Sequence, residues 1–214
     1  MALGGNLGRA LAAPPLSCRP MSKPMQLRFV CSVMSVRDLP SSPVEIAVVG
    51  RSNVGKSSLL NALANHRQLA KVSNTPGRTQ SINLFARPDG STLVDLPGYG
   101  YAKVPGALRS GWQEMIEGYL LQREPLVLTL VLVDGEIGPT KLDVQMLEWL
   151  RHERVSHGIV ATKLDKIKPS KMAPRQAELA EKCFAEIDDI AWVSAPKGTG
   201  IGSLRSRIED LLSA

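Results

Sequence analysis

The sequence has few cysteines and histidines and no long uninterrupted apolar run. Its three cysteines, Cys18, Cys31 and Cys183, are widely separated and form no C-x-x-C pair. We therefore expect neither a disulfide framework nor a zinc site, and a reducing compartment fits the composition. The three histidines form no H-E-x-x-H pattern, which argues against a zinc hydrolase site. No run approaches the roughly 18 apolar residues of a membrane span, so no membrane partner is expected.

Aromatic residues are also scarce, at 4% of the chain, and acidic residues are outnumbered by basic ones. We expect the three tryptophans in the core or half-buried rather than as platforms for stacking bases. The 26 Lys and Arg against 20 Asp and Glu give a formal net charge of +6. An excess of this sign suggests an anionic partner such as a nucleic acid. The excess is concentrated in residues 1–40 and 51–109, whereas residues 110–153 are acidic.

Residues 1–28 are rich in Ala, Gly, Pro and Ser and contain no acid. The segment has no sustained hydrophobic period, so we predict a disordered N-terminal extension followed by one domain over residues 29–214. Scattered arginines without acids are also typical of an organelle transit peptide. The chain is accordingly expected in the cytoplasm, with an organelle as the alternative.

From residue 44 onward, short apolar runs alternate with segments of helical periodicity. This pattern predicts a three-layer α/β fold with a mostly parallel six-stranded sheet flanked by helices. An Asp89-Gly90 pair between two of the strands predicts a hairpin turn. The predicted strands are 44–49, 81–86, 91–96, 126–133, 157–161 and 190–193, and the predicted helices are 58–65, 108–122, 142–151, 174–185 and 201–212.

The first predicted strand runs into the segment Gly50 to Ser57, which matches the phosphate-binding pattern G-x-x-x-x-G-K-[ST]. The glycines let backbone N–H groups point at a phosphate, and the helix that follows adds its N-terminal dipole. Lys56 would neutralise phosphate charge, and the Ser57 hydroxyl can ligate Mg²⁺. The motif indicates that the predicted α/β fold is of the P-loop NTPase type, with a nucleoside triphosphate site. It does not choose between ATP and GTP.

The choice of base comes from Thr162-Lys163-Leu164-Asp165, directly after a predicted strand. A carboxylate there can accept from both the ring N–H and the amino group of guanine, a pair of donors that adenine lacks. The stem of Lys163 would pack over the nucleotide. Ser194-Ala195 follows the next strand, where a backbone N–H can meet the guanine carbonyl. Together these segments predict GTP as the ligand.

A third motif of such sites, D-x-x-G, is present as Asp95-Leu96-Pro97-Gly98. Asp95 is expected to hold Mg²⁺ through water, and the Gly98 N–H to sense the γ-phosphate. Thr79, in the polar segment 74–80, is our choice for the second protein oxygen on Mg²⁺. Two loops, about 69–81 and 96–110, are expected to change order with the nucleotide.

Taken together, the segments GRSNVGKSSLLNAL, TPGRTQ, DLPGYGYAKV, TKLDK and SAPKGTGI resemble the EngB-type GTPases. The resemblance covers about residue 29 to the C-terminus. It implies a small G domain, a partner in the large ribosomal subunit or its precursor with its rRNA, and a role in normal septation and cell division. A monomer that binds GTP and GDP with Mg²⁺ is expected. Glu136-Ile137 departs from the basic residues that the family often has in that loop.

The candidate residues fall into three sets. The catalytic set is Lys56, Thr79 and Gly98, and the metal set is Ser57, Thr79 and Asp95. The nucleotide-binding set is Gly50, Arg51, Ser52, Asn53, Val54, Gly55, Lys56, Ser57, Ser58, Gly77, Arg78, Thr79, Gln80, Ser81, Asp95, Leu96, Pro97, Gly98, Thr162, Lys163, Leu164, Asp165, Val193, Ser194 and Ala195.

One departure bears on catalysis. Many small GTPases place Gln directly after D-x-x-G to orient the attacking water, and here that residue is Tyr99. Slow intrinsic hydrolysis is therefore expected. Asn53 offers compensation if it ligates K⁺, as in related GTPases with Asn at this position; the alternative is that it shapes the loop.

These observations leave two functional hypotheses of different kinds. The first is a GTP-hydrolysing switch in large-subunit assembly. The second is a nucleotide-gated binding module with negligible hydrolysis. A GTPase that acts on tRNA or on the small subunit is a more distant alternative.

Overall fold

The computed structural model describes residues 23–70, 81–99 and 106–213, with side chains excluded for 106–113. Seven strands and five α-helices follow one another in the described chain. The strands are β1 (Arg28–Val33), β2 (Glu45–Gly50), β3 (Ile82–Ala86), β4 (Thr92–Asp95), β5 (Leu126–Asp134), β6 (His157–Thr162) and β7 (Ile190–Trp192). The α-helices are α1 (Lys56–Ala64), α2 (Gly106–Gln122), α3 (Lys141–His152), α4 (Met172–Lys182) and α5 (Ile201–Leu212).

The strands form one sheet in the order β1-β3-β4-β2-β5-β6-β7. Neighbours from β4 to β7 run parallel, while β1/β3 and β3/β4 pair antiparallel. The predicted hairpin turn is present, with Gly90 at φ 86° between β3 and β4. The predicted α/β class is therefore confirmed, and the central strands are parallel as expected.

The described residues form seven strands rather than the six predicted from the sequence. The additional strand, β1, lies at the edge of this sheet and pairs with β3. Its side chains are exposed or half-buried, with none fully buried. An edge strand with little burial has a weak hydrophobic pattern, and the sequence of residues 28–33 therefore gave no clear strand signal.

Each face of the sheet carries its own apolar core. One core packs side chains of α1 and α5 against β2 and β5, including Leu60 and Ile208. The other packs α2, α3 and α4 on the opposite face, including Tyr119 and Leu147. Strand β2 is buried along its whole length. The two helical layers thus hold the carboxyl ends of the parallel strands at one edge, where ligands of such sheets bind.

The predicted disordered extension 1–28 falls mostly outside the described residues and stays a prediction. Within it, Met25 is 2% exposed and its N–H donates to the Leu63 carbonyl at 3.0 Å. Among the described helices, none is both long enough and apolar enough to cross a bilayer.

Candidate nucleotide-binding site

The phosphate loop joins the central strand β2 to α1. Gly55 ends the loop at φ 110°, a left-handed conformation that favours glycine, and Asn53 has φ 64°. A Cβ on Gly50 would lie 2.9 Å from Val54 Cγ1 and 3.0 Å from the Leu132 carbonyl oxygen, so only glycine fits there without movement. The backbone is thus turned tightly at the start of α1, as a phosphate-binding loop requires.

Lys56 begins α1 and is 9% exposed, an unusual burial for lysine. The charge of Lys56 interacts with the Asp95 carboxylate. Burial raises the pKa of Asp95, and the charge of Lys56 and a hydrogen bond from Asn83 offset part of this rise. A buried cation at a helix N-terminus, beside a buried carboxylate, is a suitable place for a charged phosphate. Ser57 lies in the same helical turn.

Asp95 ends β4 and is 3% exposed. Its Oδ2 accepts from Asn83 Nδ2 at 3.5 Å, while Oδ1 has no hydrogen-bond partner among the described residues. A buried carboxylate oxygen without a donor fits a hydrated Mg²⁺, because the ion or its water would satisfy it. The described residues contain no cluster of three or more His, Cys, Asp or Glu that could hold a metal unaided.

Gly98 lies directly against the phosphate loop. A Cβ at this position would be 2.9 Å from the Ser52 amide nitrogen, so the close approach depends on glycine. The Ser52 N–H donates to the Tyr99 carbonyl at 3.4 Å, and Arg51 and Tyr99 form an isolated parallel bridge. The D-x-x-G segment and the phosphate loop are therefore adjacent.

The second half of the site lies at the ends of β6 and β7. Ser194 Oγ donates to Asp165 Oδ1 at 2.6 Å, and this bond is the main cause that lowers the pKa of Asp165. The Leu164 N–H donates to the Val193 carbonyl at 3.1 Å. Thr162 Oγ1 donates to the Val54 carbonyl at 2.7 Å, which joins this half to the phosphate loop.

Some of the predicted site residues lie outside the part of the chain that the structure describes. Gly77, Arg78, Thr79 and Gln80 lie outside the described residues, so the predicted Mg²⁺ ligand Thr79 stays a prediction. Ser81 is described, and its hydroxyl accepts from Ser32 Oγ at 2.7 Å. The remaining candidates lie at the carboxyl edge of the sheet, in loops, strand ends and the first turn of α1: Gly50 to Ser58, Asp95 to Gly98, Thr162 to Asp165 and Val193 to Ala195.

Two carboxylates beside the site were not among the sequence candidates. Asp134, 4% exposed, accepts from Lys163 Nζ at 2.7 Å. Asp143, wholly buried, accepts from the Tyr99 hydroxyl at 2.9 Å. The available signals were an acid closing an apolar strand and the T-x-x-D spacing of a helix cap, neither of which indicates a nucleotide site.

The comparisons with known proteins agree with this geometry. A phosphate loop, D-x-x-G and T-K-x-D on one sheet edge define the class of P-loop GTPases, and the model of the family described as 50S ribosome-binding GTPase matches residues 45–163. A protein of Pelotomaculum thermopropionicum, named a probable GTP-binding protein EngB, is 51% identical over 146 residues, covering 68% of this chain and 74% of that protein. Another of that name, from Citrifermentans bemidjiense, is 43% identical over 189 residues and covers 88% of both.

A solved structure supports the same assignment. The crystal structure of a probable GTP-binding protein EngB aligns with a TM-score of 0.66 at 26% identity, covering 79% of this chain and 99% of that one. The chain belongs to the EngB family of GTP-binding proteins. Its family supports GTP binding and GTP hydrolysis as the general activity, and GTPases of this kind generally use Mg²⁺.

Proposed function

We propose that the protein is a GTP-hydrolysing switch that acts in assembly of the large ribosomal subunit. The GTP form would bind a precursor of the large subunit through its rRNA, and the GDP form would leave it. The observation that carries this proposal is the close contact between Gly98 and the Ser52 amide of the phosphate loop. A γ-phosphate bound at the loop would contact both segments. Its loss on hydrolysis would therefore change the position of the residues that follow Gly98.

The roles of individual residues follow from their positions. Backbone N–H groups of the phosphate loop and Lys56 would hold the β- and γ-phosphates, and Ser57, Thr79 and Asp95 would hold Mg²⁺ directly or through water. Mg²⁺ would neutralise charge on the phosphate oxygens. Asp165 would accept from guanine. The Ser194 N–H already donates to the Thr199 carbonyl at 2.9 Å, so the N–H for the guanine carbonyl would be that of Ala195.

Hydrolysis by the isolated protein is expected to be slow. The Tyr99 hydroxyl donates to Asp143 at 2.9 Å, and burial together with this carboxylate raises the pKa of Tyr99 well above its ordinary value. The phenol therefore stays protonated and occupied, and it cannot orient water as a glutamine amide does. A group on the ribosomal particle, or K⁺ held by Asn53, would supply the missing stabilisation.

The site residues, the monomeric state, the cytoplasmic or organelle location and the role in septation belong to the same proposal. The family description names 50S ribosome binding, and the surplus of basic residues in the chain suits an RNA partner.

Single-turnover GTP cleavage, measured with and without large-subunit precursors, tests this proposal against a module with negligible hydrolysis. We expect cleavage in both conditions and at least about tenfold faster cleavage with the particles, a gain of roughly 1.4 kcal/mol in transition-state stabilisation. GTP that binds but stays uncleaved under both conditions would favour the nucleotide-gated module instead.

A further inference from the structure

Asp143 sits at the first turn of α3, and its carboxylate makes contacts to three different segments of the protein. Its Oδ2 accepts from the Thr140 N–H and hydroxyl, both at 2.8 Å, which caps the helix. The same oxygen lies 3.2 Å from Arg51 Nε in the phosphate loop, in an ion pair rather than an aligned hydrogen bond. Its Oδ1 accepts from the Tyr99 hydroxyl at 2.9 Å. Capping alone would not require the last two contacts.

Tyr99 is held at both its backbone and its side chain. Its backbone lies beside the phosphate loop, bridged to Arg51 and accepting from the Ser52 N–H. Its ring packs against the core on the α2, α3 and α4 face of the sheet. The hydroxyl at the end of that ring is the part that reaches Asp143. The bond between them therefore fixes the residue that follows Gly98.

The segment between Asp134 and Asp143 is also attached at its other end. Asp134 Oδ2 accepts from Lys163 Nζ at 2.7 Å, and its Oδ1 accepts from the N–H groups of Glu136 and Ile137 at 2.9 and 3.3 Å. One end of this segment thus contacts the guanine-recognition motif and the other contacts the phosphate side of the site. Ile137, between them, is 58% exposed.

We propose that Asp143 is a positioning residue of this GTPase: by binding Tyr99 and Arg51 it holds Gly98 against the phosphate loop, so that GTP is favoured over GDP. This inference rests on the proposed nucleotide site and adds to it a residue that does not touch the nucleotide. The γ-phosphate needs the Gly98 N–H close to the loop, whereas GDP does not. The Tyr99–Asp143 bond therefore contributes to GTP affinity and leaves GDP affinity nearly unchanged.

The same hydrogen bond would couple the conformation of α3 to the bound nucleotide. When Gly98 leaves the phosphate loop, Tyr99 must move with it, and its hydroxyl no longer reaches Asp143 in the same geometry. The cap of α3 then loses one of its buried partners, and the segment 134–143 relaxes. The amides at the start of α3 are expected to be better protected from exchange with a GTP analogue bound than with GDP bound.

The test compares two tyrosines that each donate to a buried carboxylate. Tyr99→Phe removes the hydroxyl that binds Asp143. Tyr119→Phe removes the hydroxyl that donates at 2.7 Å to Glu45, the first residue of β2 and thus at the opposite end of that strand from the phosphate loop. Both variants keep the ring and lose one charged-acceptor hydrogen bond. Dissociation constants for GDP and for a non-hydrolysable GTP analogue are measured by fluorescence titration on the full chain, without ribosomal particles.

We expect Tyr99→Phe to weaken the GTP analogue about tenfold relative to GDP, from the loss of one hydrogen bond to a charged group. Tyr119→Phe should lower the melting temperature while changing this affinity ratio less than about twofold. Asp143→Asn should lower the ratio at least as much as Tyr99→Phe. The double variant Y99F/D143N should lower the affinity for the GTP analogue relative to GDP no further than the more severe single variant does, because both substitutions remove the same Tyr99–Asp143 interaction.

An unchanged affinity ratio in Tyr99→Phe, or equal changes in Tyr99→Phe and Tyr119→Phe, would overturn the positioning role while leaving the proposed nucleotide site intact. Failure of the wild-type chain to bind either nucleotide would overturn the proposed function and this inference with it. Hydrogen exchange supplies a second readout: the protection gained at 140–144 with the GTP analogue should disappear in Tyr99→Phe and persist in Tyr119→Phe. Persistence in both variants would contradict the coupling.

Discussion

The hydroxyl of Ser194 donates a 2.6 Å hydrogen bond to Oδ1 of Asp165. The bond joins the loops that follow β6 and β7, two strands that pair in parallel at the edge of the sheet. It fixes the direction of the carboxylate that we assign to guanine. It also favours the ionised form of Asp165, which is the form that can accept two hydrogen bonds from the base.

Replacement of Asp165 by Asn should change the base preference of the site. The Asn amide offers one acceptor and one donor where guanine presents two donors, so GTP affinity should fall by about 100-fold or more. Xanthosine triphosphate has a carbonyl in place of the guanine amino group, and its affinity should rise. Titration of both nucleotides measures the exchange. Asp188→Asn, in an exposed turn, is the matched control and should leave both affinities unchanged.

The pH dependence of Asp165 should depend on Ser194. The pKa of Asp165 is lowered chiefly by the Ser194 hydrogen bond. The ionised carboxylate therefore contributes fully to folding stability at pH values above the ordinary Asp pKa, about 3.9. This contribution is lost as the pH falls through the lowered pKa of the native protein. Ser194→Ala removes the main cause of the shift, so the native midpoint should rise. The ¹³C chemical shift of the Asp165 carboxyl, followed against pH in both proteins, measures it; coincident curves would refute the assignment.

Gly98 and Gly118 provide matched glycine-to-alanine substitutions. A Cβ at Gly98 would lie 2.9 Å from the Ser52 nitrogen, whereas a Cβ at Gly118 in α2 meets nothing within 4 Å. Gly98→Ala should push D-x-x-G away from the phosphate loop and weaken a GTP analogue at least about tenfold relative to GDP. Gly118→Ala should stabilise the fold by about 0.5–1 kcal/mol and leave binding unchanged. Both quantities come from chemical denaturation and nucleotide titration.

The role of Asn53 can be tested through the monovalent cation. Asn53 is exposed and has φ 64°, a conformation that Asn adopts more readily than most residues. If it ligates K⁺, GTP turnover should be faster in KCl than in NaCl at equal ionic strength, and Asn53→Ala should remove the difference. Asn53→Gly keeps access to the loop conformation and should also remove it. Equal wild-type rates in the two salts would leave Asn53 with a conformational role alone.

The sequence predicted the parts of the site that are continuous in the chain. The phosphate loop, D-x-x-G and T-K-L-D each place their backbone and side chains within a few residues, so their spacing alone indicates their chemistry. Asp134 and Asp143 were missed because their partners are remote in sequence: Lys163 and Tyr99 reach them only once β5, β6 and α3 are packed together.

The buried strands of the fold were predictable from the sequence, whereas the exposed edge strand was not. The buried parallel strands have long apolar runs and were found, whereas β1 at the edge was not, because its exposed side chains lack a clear period. The burial of Met25 was likewise hidden in a segment whose composition is typical of a disordered tail. Local composition describes such a segment poorly when one apolar side chain has a place in the core.

In the switch that we propose, the nucleotide controls association with the large ribosomal subunit. Co-sedimentation of the full chain with large-subunit precursors, under a non-hydrolysable GTP analogue and under GDP at equal salt, measures this directly. We predict that the protein pellets with the particles under the GTP analogue and remains largely in the supernatant under GDP. Equal association under both nucleotides, or association in neither state, would contradict it.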